Sequence, residues 1–187
     1  MSVDLTKLTP AMQAKVKGLL MRARFESLEL LLYCGYRSLE EQAKLYCNGY
    51  SRVVCGKKAH HLRFVNQVDI AALALEEAII RNDDTDDTAP VTKSAPGESW
   101  HNYGEAVDCV PMVSGKPVWK IDSKLWLQYG EIVKAVGLFW AGDWTRFVEF
   151  PHAQLRAEGN PLKVLKPGEA MQMLSDSARD ERALECP

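Results

Sequence analysis

Ser99-Trp100-His101-Asn102-Tyr103-Gly104-Glu105-Ala106-Val107-Asp108-Cys109-Val110 decides the fold. Its second half, Ala106 to Val110, alternates small apolar residues with Asp108 and reads as a strand. Gly104 supplies a turn before it, so His101 on the entering arm and Asp108 on the strand can converge on one point. Upstream of Pro96-Gly97, the segment Asn82 to Pro90 is acidic and rich in breakers, the pattern of a surface loop. Ile70 to Arg81 carries Ala, Leu and Ile on more than one face, as a largely buried helix does.

Nearer the N-terminus, Thr9 caps and Pro10 suits the first helical position, and Met12, Val16, Leu19, Leu20 and Ala23 recur at helical spacing to about Phe25. Leu28 to Tyr36 is a short apolar run of strand length. Ser38 and Glu41 form a capping box and Asn48-Gly49 a stop, so Leu39 to Cys47 is a helix. Downstream, Ser123 is placed to cap a helix bearing Trp126, Tyr129, Ile132, Val133 and Val136, which Gly137 closes. A strand-like stretch, Phe147 to Phe150, leads into Pro151-His152. After Asn160 the composition turns polar, and Glu169 to Leu184 is either an amphipathic helix or a frayed tail. Few strands interleaved irregularly with helices give an α+β fold: a small, mostly antiparallel sheet with helices packed against it. The expected organisation is one domain over residues 1–160, with a helical or flexible tail over 161–187.

The chain has 187 residues, enough for one proper core, and its 47% hydrophobic and 26% charged residues are those of a globular protein. Lys plus Arg number 23 against 25 Asp plus Glu, so the net charge of -2 leaves no basic footprint for nucleic acid or anionic membrane. The longest apolar run, Leu28 to Cys34, is far short of the roughly 20 residues of a membrane span. The N-terminus lacks the basic flank and apolar stretch of a secretory signal, which places synthesis in the cytoplasm. Five cysteines form no C-x-x-C pair and read as reduced thiols, which argues against a thiolate metal site.

Two imidazoles and two carboxylates then stand out: His101 and Asp108 around the turn, and Glu149 with His152 in Glu149-Phe150-Pro151-His152. A catalytic zinc takes three N and O ligands and an open position for water, and the remaining carboxylate serves as proton acceptor. Residue types alone leave a second reading open, in which His101 is a core histidine, Asp108 a paired strand carboxylate, and Glu149 and His152 a local surface contact.

Ser99 to Asp108 matches S-x-H-x-x-G-x-A-x-D and resembles the family that groups VanX-like D,D-dipeptidases, zinc D-alanyl-D-alanine carboxypeptidases and phage L-alanyl-D-glutamate endolysins. Gly35-Tyr36-Arg37-Ser38 with Glu41-Gln42, Ala95-Pro96-Gly97, and the run Gly137-Leu138-Phe139-Trp140 through Gly142-Asp143-Trp144 to Pro151-His152 extend the likeness over roughly Leu8 to Gln154, and the whole looks closest to the endolysin branch. The resemblance implies one zinc per chain in a cleft on the sheet, held by His101, Asp108 and His152, with Glu149 as general base and Arg37 steadying the carbonyl oxygen. It implies stem peptides of bacterial peptidoglycan as substrate; a monomer is expected, and the missing export signal implies that it reaches the wall by release from the cytoplasm. Ser99 and Trp140 are the substrate-contact candidates. A cytoplasmic D,D-dipeptidase or carboxypeptidase and a zinc-bearing wall-peptide binding module that does not cut are the other readings.

Departures from the family pattern add three expectations. Residues 51–90 form an insertion that covers or narrows the cleft. Ala141, where a second glycine is common, and Ala153, where an aromatic follows the histidine, leave the pocket wall near the metal roomier. Glu149 stands where the endolysin branch often has Asp. Elsewhere, His60-His61 read as loop or surface residues, the aspartates at 83, 84, 86 and 87 as a solvated loop lacking the EF-hand pattern, and Cys109 as a buried apolar residue facing away from Asp108.

Overall fold

The computed structural model describes residues 3–81, 91–120 and 124–184, so the acidic loop at Asn82 to Pro90 and the Ser123 cap lie outside the described residues. The chain divides into two compact units, one of Met1–Tyr36 with Gly104–Ala157, the other of Arg37–Tyr103 with Glu158–Pro187.

The first unit is built on the sheet. Its strands are β1 (Leu30–Cys34), β2 (Ala106–Val113), β3 (Lys116–Pro117), β4 (Phe139–Trp140) and β5 (His152–Gln154), in the order β1-β2-β5-β4, with β3 paired to β2. Every pairing is antiparallel, which bears out the α+β expectation. Helices α1 (Pro10–Phe25) and α5 (Lys124–Ala135) belong to the same unit. Thr9 caps α1 by accepting from the Met12 N–H, and the buried stripe Met12, Val16, Leu19, Ala23 repeats at the spacing of one helix face. That stripe joins Trp126, Tyr129, Ile132 and Val133 of α5 and Val107 and Cys109 of β2 in one apolar core.

Gly104 turns the chain at φ +66, and a Cβ there would lie 2.8 Å from the Lys7 carbonyl oxygen and 3.2 Å from Leu8 Cα. The Gly104 carbonyl accepts from the Thr9 N–H at 3.0 Å, so the contact is with backbone already tied in place. Gly104→Ala therefore combines a left-handed backbone with a clash and should destabilise by about 1–3 kcal/mol. Gly56 is the contrast: it sits inside a helix with nothing within 4 Å of its added Cβ. Gly56→Ala should stabilise by about 0.5–1 kcal/mol. Denaturant unfolding of the two variants must give shifts of opposite sign.

The second unit holds α2 (Leu39–Cys47), α3 (Arg52–Phe64), α4 (Asp69–Arg81), a 3-10 turn at Trp100–Tyr103 and α6 (Pro167–Leu184). The Ser38 capping box of α2 forms with both of its reciprocal hydrogen bonds. Helix α4 matches the expected helix, packs on α2 and α3, and touches α6. Helix α3 was not read from the sequence. Consequently His60 and His61 are helix residues and not loop residues, both exposed, with the His60 ring against Phe64 at 4.5 Å. Among the described residues no helix is long and apolar enough to cross a membrane.

Candidate metal centre

Asp108 occupies the middle of the sheet. On β2 it pairs across to Cys34 of β1 on one side and to His152 of β5 on the other. Directly opposed residues on neighbouring strands hold their side chains within contact range, so the register itself brings carboxylate and imidazole together. Asp108 Oδ1 lies 3.1 Å from His152 Nδ1, and both residues are buried.

The other ring nitrogen, His152 Nε2, lies 2.9 Å from Gln154 Oε1. Amide oxygen and nitrogen are told apart by their partners. Gln154 Nε2 donates to the Arg156 carbonyl at 2.6 Å, so it is the amide oxygen that faces His152. An amide oxygen only accepts, and His152 Nε2 must carry a hydrogen. Nδ1 then points at a carboxylate oxygen, and in the neutral ring both are acceptors. Two acceptors at 3.1 Å require a cation between them: a proton, or a metal ion. Ligand atoms bonded to zinc at about 2.0–2.1 Å in tetrahedral geometry stand roughly 3.3 Å apart, so the separation accommodates a metal ion as well as a shared proton.

Glu149 and His152 are joined by a turn whose dimensions the sequence does not give. The His152 N–H donates to the Glu149 carbonyl at 3.2 Å, and the Glu149 N–H to the Ala141 carbonyl at 3.1 Å. The two intervening carbonyls are pinned from the core: Trp140 Nε1 donates to Phe150 at 2.7 Å and the Tyr129 hydroxyl to Pro151 at 3.0 Å. Burial pushes the Tyr129 phenol well above its ordinary pKa, which keeps it a donor. The Pro151 carbonyl also takes the Cys109 N–H. The expected strand at Phe147 to Phe150 is therefore corrected: those residues lead into a turn, and β5 begins at His152, because Pro151 has no N–H to give to the ladder and Phe150 is constrained by the proline after it. Glu149 is partly exposed.

Trp140, the candidate for substrate contact, is 5% exposed and packed edge-on against Tyr129 and Phe150. Its contribution is to brace the Glu149–His152 turn from within the core. The expectation about Ala153 is likewise corrected: alternation along β5 turns it away from the His152 face and into the apolar core, so it widens no pocket wall near the metal. Trp144, partly exposed, sets its ring 5.8 Å from that of His152. Cys109 faces the core as expected, and burial pushes its thiol up to about 12, the state of an inert thiol. Cys34 is partly buried beside Asp108, and the described cysteines at 34, 47, 55 and 109 form no disulfide.

Arg37, Ser99 and His101 belong to the second unit. The Arg37 N–H donates to the His101 carbonyl at 3.1 Å, and the Asn102 side-chain amide donates to the Arg37 carbonyl at 2.9 Å. Asn102 Oδ1 accepts from Gly97 N–H, and the Tyr103 hydroxyl donates to the Gly97 carbonyl, so the stretch from Gly97 to Tyr103 is held as one hydrogen-bonded turn. His101 is 2% exposed within it, and Ser99 is buried with its carbonyl taken by the Asn102 N–H. The Arg37 guanidinium donates to Gln42 Oε1 at 2.9 Å, and the Gln42 amide donates to the Ser94 carbonyl.

Residues 92–155 match the family model described as D-alanyl-D-alanine carboxypeptidase. The peptidoglycan L-alanyl-D-glutamate endopeptidase CwlK of Bacillus subtilis (strain 168) is 26% identical over 156 residues, 79% of this chain and 73% of that protein. Among solved structures, the L-Ala D-Glu endopeptidase ChiX of Serratia marcescens is 18% identical, with 81% and 83% of the two chains covered and a TM-score of 0.44. The vancomycin-resistance D,D-pentapeptidase VanY, solved with Zn(II), is 16% identical, with 91% and 83% covered and a TM-score of 0.41. The matched stretch contains His101, Asp108, Glu149 and His152, so the chain is similar, over about a third of its length, to the family described as D-alanyl-D-alanine carboxypeptidase, and over most of its length to a peptidoglycan endopeptidase.

Proposed function

We propose that the chain is a zinc peptidase that hydrolyses the stem peptides of bacterial peptidoglycan, with one zinc per chain held by His101, Asp108 and His152. The observation that carries this reading is the Asp108–His152 pair, two acceptor atoms at the spacing of zinc ligands, with Gln154 occupying the outer nitrogen of the ring. When bound, zinc lowers the pKa of a coordinated water and polarises the peptide carbonyl. Glu149 takes the proton of the attacking water and returns it to the leaving amine. Arg37, its guanidinium aimed by Gln42, stabilises the negative charge that develops on the carbonyl oxygen. Ser99 contacts the substrate.

The likeness to CwlK over 79% of the chain supports the bond between L-alanine and D-glutamate as the one cut. The enzyme acts as a monomer and as a phage or prophage endolysin: it is made in the host cytoplasm and meets the wall on release at lysis. Residues 51–90 bear on substrate choice and supply no ligand. Mass spectrometry of the products from a defined muropeptide tests the reading. Cleavage after L-alanine is expected. Loss of a terminal D-alanine instead would favour the carboxypeptidase alternative, and an uncut muropeptide retained by the zinc-loaded protein would favour the binding module.

A further inference from the structure

Gln154 lies two residues beyond His152 on β5, so the two side chains share a face of the strand. Its side chain is fully buried, and both ends of the amide are engaged: the oxygen on His152 Nε2 at 2.9 Å, the nitrogen on the Arg156 carbonyl. Arg156 is itself fixed, because its guanidinium grips buried Glu105 with Nε at 2.7 Å and Nη2 at 3.2 Å. Glu105 in turn accepts the Leu155 N–H on its backbone carbonyl at 3.0 Å, beside the Ala106–Gln154 register pair of the sheet. The run Glu105, Arg156, Gln154, His152, Asp108 is thus a continuous line of bonds ending at the candidate metal.

An imidazole beside a carboxylate would ordinarily place its single hydrogen on the nitrogen facing that carboxylate, since a charged acceptor makes the stronger bond. Here that choice would put a hydrogen on Nδ1, the atom facing Asp108, and close it to a cation. We infer that Gln154 is a positioning residue that holds the His152 hydrogen on Nε2 and so keeps Nδ1 open as the metal-binding atom. The Arg156 carbonyl prevents the amide from turning over and presenting its NH2 group to the ring, and the Glu105–Arg156 pair keeps that carbonyl in place. The value of this assignment to the enzyme rests on the zinc reading above, but the tautomer itself does not.

Nitrogen-15 correlation spectra of the metal-free protein, recorded where the imidazole is neutral, report which His152 nitrogen carries hydrogen. The wild type should show it on Nε2. Gln154→Leu, which keeps bulk and removes the acceptor, should move it to Nδ1 and weaken zinc binding by roughly 10–100-fold. Gln154→Glu restores an acceptor at the same place and should recover the Nε2 hydrogen and zinc binding within a few-fold of wild type. Thermal unfolding of the metal-free variants identifies any that fail to fold, and the glutamate variant carries the test if the leucine variant does. An unchanged tautomer and unchanged zinc affinity in Gln154→Leu, or a Gln154→Glu protein that folds yet binds zinc as poorly as Gln154→Leu, overturns the inference. A wild type with the Nε2 hydrogen and no affinity for zinc would leave Gln154 in its role and remove the zinc reading instead.

Discussion

Glu149→Gln should lower peptide hydrolysis by on the order of 10²–10⁴-fold while leaving zinc bound. The substitution keeps shape and hydrogen bonding but cannot accept a proton. What makes the separation sharp is the turn. The backbone at Glu149 is pinned by its own N–H to the Ala141 carbonyl and by its carbonyl to the His152 N–H, and the next two carbonyls are pinned by Trp140 and Tyr129. None of those bonds involves the Glu149 carboxylate, so the position of His152 survives the change. Measuring turnover on a defined muropeptide together with zinc content checks both halves. Turnover within a few-fold of wild type would remove Glu149 from the role of base. Release of the metal would mean that Glu149 is a ligand, and the division of labour between the two carboxylates would have to be redrawn.

Those parts of the fold in which local rules and tertiary packing agree were legible in the sequence. Thr9-Pro10 and the Ser38–Glu41 box start helices where the structure starts them, and the small-residue alternation around Asp108 is the central strand. Helix α3 escaped because its buried face is a narrow stripe of Cys55, Ala59 and Leu62, while Val53, Val54, Gly56 and the histidine pair supply β-branching, a breaker and exposed rings in between. The start of β5 was misplaced because Phe147 to Phe150 is apolar enough for a strand, and only the register shows that the ladder begins after Pro151. Trp140 looked available for substrate because an aromatic near a site is ambiguous between core and surface. Its burial depends on Tyr129 and Phe150, which come from distant parts of the chain. Gln154 did carry a signal, the H-x-Q spacing of one strand face, yet that signal means little until β5 is placed.

Asp108→Ala should abolish hydrolysis and tight zinc binding together, a different signature from that of Glu149→Gln. Asp108 stands at the crossing of two pairings, between Cys34 and His152, and its carboxylate lies 3.1 Å from His152 Nδ1. On the proposed ligand set, removing it takes away one ligand and the charge that draws a cation to the site, while the backbone register of β2 with its neighbours remains. Because metal binds the folded state, zinc at about 1,000 times its dissociation constant adds roughly 4 kcal/mol to the stability of the wild type. A chelator should therefore lower the wild-type melting temperature by on the order of 10 °C. The Asp108→Ala protein has no such increment to lose, so its melting temperature should be the same with and without chelator. Calorimetry with paired zinc analysis reads both effects in one preparation. If Asp108→Ala still bound zinc with wild-type affinity, or if chelation shifted its melting temperature as much as that of the wild type, the metal would not be held by Asp108 and the ligand set His101, Asp108, His152 would be wrong.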